Sequence, residues 1–195
     1  MAAASAQEQQ ARDAESCRAR WSGAVSAALP GVAAGRAWAL LSDFFAIQRW
    51  LPGVASCERA GGGSGSGSGS VRRVADASGE QWALEELLAT DAAARSVRYA
   101  VLDSSLGIRG YTATLKVAPE EAEAEAEEGR GGGCRIEWSF ECEPGEGWSR
   151  EGLAAYLHAG AKAMAERVAA AVRAEDAAAA AAAEEEEKAE KVTSK

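Results

Sequence analysis

The sequence is poor in the residues that build metal sites. It contains one histidine, His158, and four cysteines, at positions 17, 57, 134 and 142, with no C-x-x-C pair among them. A structural zinc site needs about four Cys or His ligands at short spacing, and an H-E-x-x-H site needs a second histidine. We therefore predict no metal and no cofactor, a surface or half-buried His158, and reduced, mostly buried thiols.

An excess of positive charge is also absent, since the formal net charge is −9. Residues 119–130 hold six acids and one base, and residues 174–195 hold seven acids and three bases. The rest of the chain balances at 17 acids and 17 bases. A neutral folded body lacks the electrostatic attraction that nucleic acids and anionic membranes require, so neither is an expected partner.

No window of the chain has the apolar length needed to span a bilayer. Residues 1–20 mix acids, bases and glutamines, and they lack the apolar stretch of a signal peptide. We expect these residues to form a disordered extension, and we expect the protein to be cytoplasmic.

The large apolar residues are few and concentrated. Hydrophobic residues make up 47% of the chain, but 48 of these 92 residues are alanine. Nearly all of the other 44 lie within residues 21–173, which indicates one domain. It carries a Gly/Ser loop at 61–70, without the Gly-Lys-Ser/Thr of a phosphate-binding loop, and an acidic loop at 119–133. The Ala/Glu tail at 174–195 can extend a helix but has nothing large to bury, so we expect a frayed or disordered end.

Alternating polar and apolar residues predict an antiparallel sheet with one dry face. The clearest strand is residues 134–143, where Ile136, Trp138 and Phe140 share a face with Cys134 and Cys142. Further strands are predicted at 21–29, 54–59, 71–75, 81–90, 96–103 and 111–118. Helical spacing predicts short helices at 33–45 and 47–51 and a long one that begins at Ser149.

This order of elements, one strand, two short helices, six strands and a long helix, predicts an α+β fold. A strongly curved sheet wrapped around the long helix would enclose a hydrophobic cavity. Tyr99 and Tyr111 share the parity of apolar residues and are expected inside. The direction of Arg72 and Glu85 stays open, because both faces of their strands are partly apolar.

Six short segments occur in an order that resembles the plant lachrymatory-factor synthase family. They are Arg20-Trp-Ser-Gly, Ala37-Trp-Ala-Leu-Leu-Ser-Asp-Phe, Gly69-Ser-Val-Arg, Trp82-Ala-Leu-Glu, Gly110-Tyr-Thr-Ala-Thr and Ile136-Glu-Trp-Ser-Phe. That family belongs to the START-like, helix-grip group, with the birch-pollen allergens, polyketide cyclases and abscisic-acid receptors. The resemblance implies a seven-stranded curved antiparallel sheet that grips the C-terminal helix around a cavity.

The resemblance also implies a site. Arg72 and Glu85 would point into the cavity as a catalytic pair, and Tyr99 and Tyr111 would orient a small hydrophobic ligand. In that family an alkenyl sulfenic acid rearranges to a thial S-oxide without a cofactor. Glu85 would carry the proton and Arg72 would hold the oxygen. Trp138 and Phe140, on the apolar face of the last strand, complete the expected substrate contacts.

Two alternatives stay open. Arg72 and Glu85 could form a cross-strand ion pair without turnover, and the protein could carry a lipid or hormone without changing it. Abscisic-acid receptors use a Ser-Gly-Leu-Pro-Ala gate and a His-Arg-Leu latch. Here residues 73–79 read RVADASG and residues 105–110 read SLGIRG, so both signatures are missing. The sequence predicts neither the true ligand nor the oligomeric state.

Overall fold

The computed structural model describes residues 20–61, 67–120, 132–145 and 147–193. Most of the predicted N-terminal extension, the middle of the Gly/Ser loop and most of the acidic loop lie outside these ranges. The expectation of a disordered segment at residues 1–20 therefore falls almost wholly outside the described residues.

The strands and helices follow the predicted order. In chain order the described elements are β1 (Trp21–Leu29), α1 (Ala34–Leu41), a 3-10 helix (Phe44–Arg49), β2 (Ser56–Ala60), β3 (Val71–Ala75), β4 (Trp82–Asp91), β5 (Ser96–Ser104), β6 (Thr112–Pro119), β7 (Cys134–Cys142) and α2 (Arg150–Thr193).

Within the described ranges, the seven strands form one antiparallel sheet in the order β1-β7-β6-β5-β4-β3-β2. Each strand from β2 to β7 pairs with its neighbour in sequence. β1 instead returns to β7, with Trp21 opposite Cys142 and Leu29 opposite Cys134. This arrangement confirms the predicted α+β helix-grip fold, in which a curved sheet packs around a long C-terminal helix.

The core lies between the dry face of the sheet and α2. Cys134, Ile136 and Cys142 of β7 are fully buried, as the alternation in this strand predicts. On the helix side, Leu153, Met164 and Val168 are at most 1% exposed. Burying each of these large apolar side chains stabilises the fold by about 1.5–3 kcal/mol. The helix begins where it was predicted, since the Ser149 hydroxyl accepts a hydrogen bond from the Gly152 N–H at 2.9 Å.

The two short helices differ from the predicted bounds. The expected helix at 33–45 ends at Leu41, and the expected helix at 47–51 is a 3-10 helix that begins at Phe44. The reason is local, because the Asp43 side chain accepts a hydrogen bond from the Phe45 N–H at 2.9 Å and starts a new helix there. This break turns Phe44 toward the core, where it is buried.

The tail also differs from the expectation. Helix α2 continues without interruption to Thr193, where a frayed or disordered end was expected. Alanine, glutamate and lysine are strong helix formers, and Glu184 and Glu187 each pair with a lysine one turn later. The beginning of the tail also contacts the rest of the domain, because Arg36 of α1 pairs with Glu175 at 3.1 Å and with Asp176.

Candidate functional site

A cavity of about 150 Å³ lies between the sheet and α2. Its wall is mostly apolar, with contributions from the 3-10 helix, strands β3 to β7 and the first turns of α2. The polar or aromatic residues that line it are Asp43, Phe44, Trp50, Arg72, Asp76, Gln81, Trp82, Glu85, Tyr99, Ser104, Tyr111, Trp138 and Tyr156. The predicted hydrophobic cavity is therefore present.

Arg72 and Glu85 both lie inside, which settles the direction that the sequence left open. They are directly opposite each other on β3 and β4, and they are 5% and 9% exposed. Glu85 shares its face with the buried Ala83 and Leu87, whereas Leu84 lies on the half-buried outer face. The outer apolar residues that made the pattern ambiguous are only partly covered.

The ion pair uses one carboxylate oxygen. Arg72 donates from Nε to Glu85 Oε2 at 2.6 Å, and its Nη2 lies 2.6 Å from the same atom. Among the described contacts of Glu85, none involves Oε1. Oε1 of this buried carboxylate is thus available to accept a proton from a ligand or to return one to it, while Arg72 neutralises the carboxylate charge.

Phe44 holds the guanidinium from the other side. Its carbonyl oxygen accepts a hydrogen bond from Arg72 Nη1, and its ring lies 3.9 Å from the guanidinium carbon. The Tyr99 ring lies 5.7 Å from that same carbon. Arg72 is therefore fixed by a carboxylate, a carbonyl and two aromatic rings, which compensate for its removal from water.

The two tyrosines form the polar wall beside this pair. The Trp138 Nε1–H donates to the Tyr99 hydroxyl at 3.1 Å, and the Tyr99 and Tyr111 ring centroids are 6.2 Å apart. Burial raises the pKa of both phenols, and the nearby Glu85 charge raises them further. Both remain neutral hydrogen-bonding groups at physiological pH.

A family model described as "Polyketide cyclase / dehydrase and lipid transport" matches residues 27–175. This match covers the whole cavity and most of the sheet. The chain belongs to this family. Membership of this family indicates that the cavity binds hydrophobic ligands.

Solved structures of the same fold support the assignment of architecture. The protein XoxI from Bacillus cereus is 21% identical, with a TM-score of 0.60, and the match covers 77% of this chain and 94% of that one. An uncharacterised protein from Bacillus thuringiensis is 20% identical, with a TM-score of 0.58, and the match covers 75% of this chain and 98% of that one. A Thermobifida fusca protein is 24% identical, with a TM-score of 0.56, and covers 77% and 93%. At this identity the likeness concerns the fold.

The predicted site residues do not all line the cavity of this family member. Arg72, Glu85, Tyr99, Tyr111 and Trp138 do, but Phe140 is not among the lining residues. The expected contact of Phe140 with substrate stays a prediction. Its ring stacks on Tyr111 at a centroid distance of 6.2 Å and an angle of 7°, so Phe140 supports the site from behind.

Phe44 and Trp50 are among the aromatic residues of the wall that sequence reasoning missed. Both lie in or beside the 3-10 helix, and neither sits in a regular alternation that parity could assign. The only signal was the Asp43 cap, which starts a new helix and fixes the direction of Phe44.

The half-buried Cys57 is a further neighbour of the cavity. Burial raises the pKa of its thiol, whereas the Arg72 charge lowers it.

Two features of the described residues bear on other classes of function. No helix among the described residues is long and apolar enough to cross a membrane. Across the same residues, no three His, Cys, Asp or Glu side chains come together as metal ligands. His158 is exposed on α2, away from the cavity wall.

Proposed function

We propose that this protein binds a small hydrophobic molecule with an acidic or polar head group and moves a proton on it without a cofactor. The observation that carries the proposal is the buried Arg72–Glu85 pair in the wall of an apolar cavity. A buried ion pair of this kind is costly to form and contributes little net stability. Its position in a cavity wall favours a chemical role.

The proposed reaction is an isomerisation of the kind that the lachrymatory-factor synthases perform. Glu85 Oε1 accepts the proton of an alkenyl sulfenic acid O–H and delivers it to the far alkenyl carbon. The carbon–carbon double bond becomes a carbon–sulfur double bond, so no atom or electron enters or leaves. Arg72 stabilises the negative charge that develops on the oxygen, and Tyr99 and Tyr111 orient it.

The size of the cavity supports a small ligand. A volume of about 150 Å³ corresponds to a molecule of roughly benzene size. Sites for drug-sized ligands are larger, typically about 300–1,000 Å³. This volume favours a small, compact substrate over a long-chain lipid.

The test is turnover of an alkenyl sulfenic acid that a second enzyme generates in the same vessel. Parent protein is compared with Arg72→Leu and Glu85→Gln, and the thial S-oxide is measured in the headspace. Glu85→Gln keeps the shape of the side chain but cannot carry a proton. The expected result is product from the parent only, whereas equal product from all three contradicts the catalytic role.

Carriage without turnover is the rival function, and the words "lipid transport" in the family description favour it. Native mass spectrometry of the purified protein separates the two. A tightly held lipid, displaced stoichiometrically by added fatty acid, together with no turnover, would support carriage. An empty cavity or a small bound acid supports the proposed isomerase.

A further inference from the structure

Two polar atoms beside the cavity have no hydrogen-bond partner among the described residues. They are Trp50 Nε1 and Ser104 Oγ, and both atoms are buried. Both residues line the cavity, and Trp50 is only 4% exposed. Buried polar groups without a partner are rare in native proteins, because removing them from water is costly.

These atoms are separate from the Arg72–Glu85 cluster, where each charged group is already paired. Ser104 lies opposite Ala83 at the end of β5, whereas Glu85 lies opposite Val101. Ala83 and Glu85 share a face of β4 and are two positions apart, about 7 Å along the strand. Ser104 is therefore on the same inner face as Glu85 but further toward the end of the sheet.

Trp50 lines the same cavity, and the chain after it runs toward that end of the sheet. The chain that follows it reaches Ala55, whose N–H donates to the Ala75 carbonyl oxygen at 2.8 Å, where β3 ends. Ala75 lies opposite Trp82, the first residue of β4. On its other side, the Trp50 ring is covered by Arg49, whose guanidinium carbon is 4.9 Å from the ring centroid. The indole thus forms a wall between the cavity and the surface.

We infer that Trp50 and Ser104 form a second polar contact for the ligand, apart from the Arg72–Glu85 pair. An indole N–H only donates, so Trp50 selects a hydrogen-bond acceptor. The ligand class is accordingly a short molecule with an acidic or hydroxyl head at Glu85 and an acceptor, such as a carbonyl, sulfoxide or nitrile, at its other end. This inference rests on the proposed function, because it assumes that the cavity binds a ligand by its head at Glu85.

The experiment uses two rigid probes of nearly equal shape, 4-hydroxybenzonitrile and 4-ethynylphenol. Each places a phenol at one end, but only the nitrile offers a good acceptor at the other. Affinities are measured by calorimetry at pH 6 for the parent, Trp50→Phe and Ser104→Ala. One hydrogen bond corresponds to about a tenfold difference in Kd.

The expected result is that the parent prefers the nitrile about tenfold and that Trp50→Phe removes most of this preference. Affinity for 4-ethynylphenol should change little in that variant. Compared with the probe in an apolar solvent, the nitrile stretching band should lie at higher wavenumber in the parent complex and should not do so in the Trp50→Phe complex. If Trp50→Phe fails to fold, loss of preference in Ser104→Ala, with the band shift in the parent, supports the same conclusion.

Three outcomes separate the possible failures. If the parent binds both probes equally, or if both variants keep the preference, the second contact is overturned while ligand binding stands. If neither probe binds the parent, the small-ligand function and the second contact both fail. If the band of the parent complex lies where it does in an apolar solvent, the indole does not donate to the nitrile and the inference is wrong.

Discussion

Arg72 and Glu85 face each other across β3 and β4, and both the Nε and the Nη2 of Arg72 lie 2.6 Å from a single oxygen, Glu85 Oε2. This geometry leaves Oε1 to a ligand and keeps the guanidinium on the far side of the carboxylate. It also couples the two charges, since each is buried and each is neutralised by the other. Their effects on stability should therefore be strongly non-additive.

The first prediction concerns this coupling. Glu85→Leu leaves the Arg72 charge buried without its partner, and we expect the free energy of unfolding to fall by about 3–5 kcal/mol. The double variant Arg72→Met, Glu85→Leu should recover most of that loss, because no charge remains buried. Urea denaturation of the parent, both single variants and the double variant measures the coupling. Additive losses would show that the ion pair is energetically unimportant.

The sheet and the long helix could be predicted because their buried faces follow simple periods. In β7, Ile136 and Trp138 alternate with Arg135 and Glu137, and the buried set is the predicted one. The same reasoning predicts Tyr99 and Tyr111 inside. This reasoning does not predict the direction of Glu85. Parity shows which residues share a face, but it cannot identify the inner face when both faces are partly apolar.

The remaining parts of the site depend on contacts between elements that are distant in sequence. Phe44 reaches Arg72 because Asp43 starts a 3-10 helix beside the sheet, and no local pattern specifies that approach. Phe140 shares a face with Trp138, but it stacks on Tyr111 and is not among the residues that line the cavity. Membership of a face is thus necessary for lining a cavity but not sufficient.

The second prediction concerns the support behind Tyr111. A Cβ at Gly23 would come within 2.7 Å of the Phe140 ring, which stacks on Tyr111. We expect Gly23→Ala to lower the free energy of unfolding by about 1–3 kcal/mol through overpacking. It should also weaken binding of 4-ethynylphenol, because Phe140 must shift toward Tyr111. Thermal unfolding and calorimetry check the two effects.

The matched control for that substitution is Gly35→Ala in α1. A Cβ at Gly35 meets nothing within 4 Å, and the residue is exposed. Alanine is the better helix former, so we expect a gain of up to about 1 kcal/mol and unchanged probe binding. The packing argument would be contradicted if Gly23→Ala lowered the free energy of unfolding no more than Gly35→Ala does.

The third prediction concerns the tail. Residues 177–189 and 191 are exposed on α2, so removing residues 177–195 should leave both the Tm and probe affinity unchanged. Removing residues 174–195 also deletes Glu175 and Asp176, the partners of Arg36. These pairs are exposed, so the further loss in Tm should be small and should disappear in high salt. A large loss with the shorter deletion would show that the distal tail stabilises the domain.

The fourth prediction concerns alkaline pH. Burial raises the folded-state pKa of Tyr99 and Tyr111 above the ordinary value, and the Glu85 charge adds to this effect. An acid whose folded pKa is raised binds more protons in the native state, so its contribution to stability is complete below the unfolded pKa of about 10 and is lost as pH rises above it. We therefore expect unfolding at alkaline pH, with two of the three tyrosines ionising only as the protein unfolds.

Absorbance at 295 nm and circular dichroism, followed together during a pH titration, should change in one transition for these two residues. Tyr99→Phe should remove one tyrosinate from that transition and shift the midpoint to higher pH. Ionisation of all three tyrosines while the circular dichroism remains native would contradict the placement of both phenols in the sealed wall of the cavity.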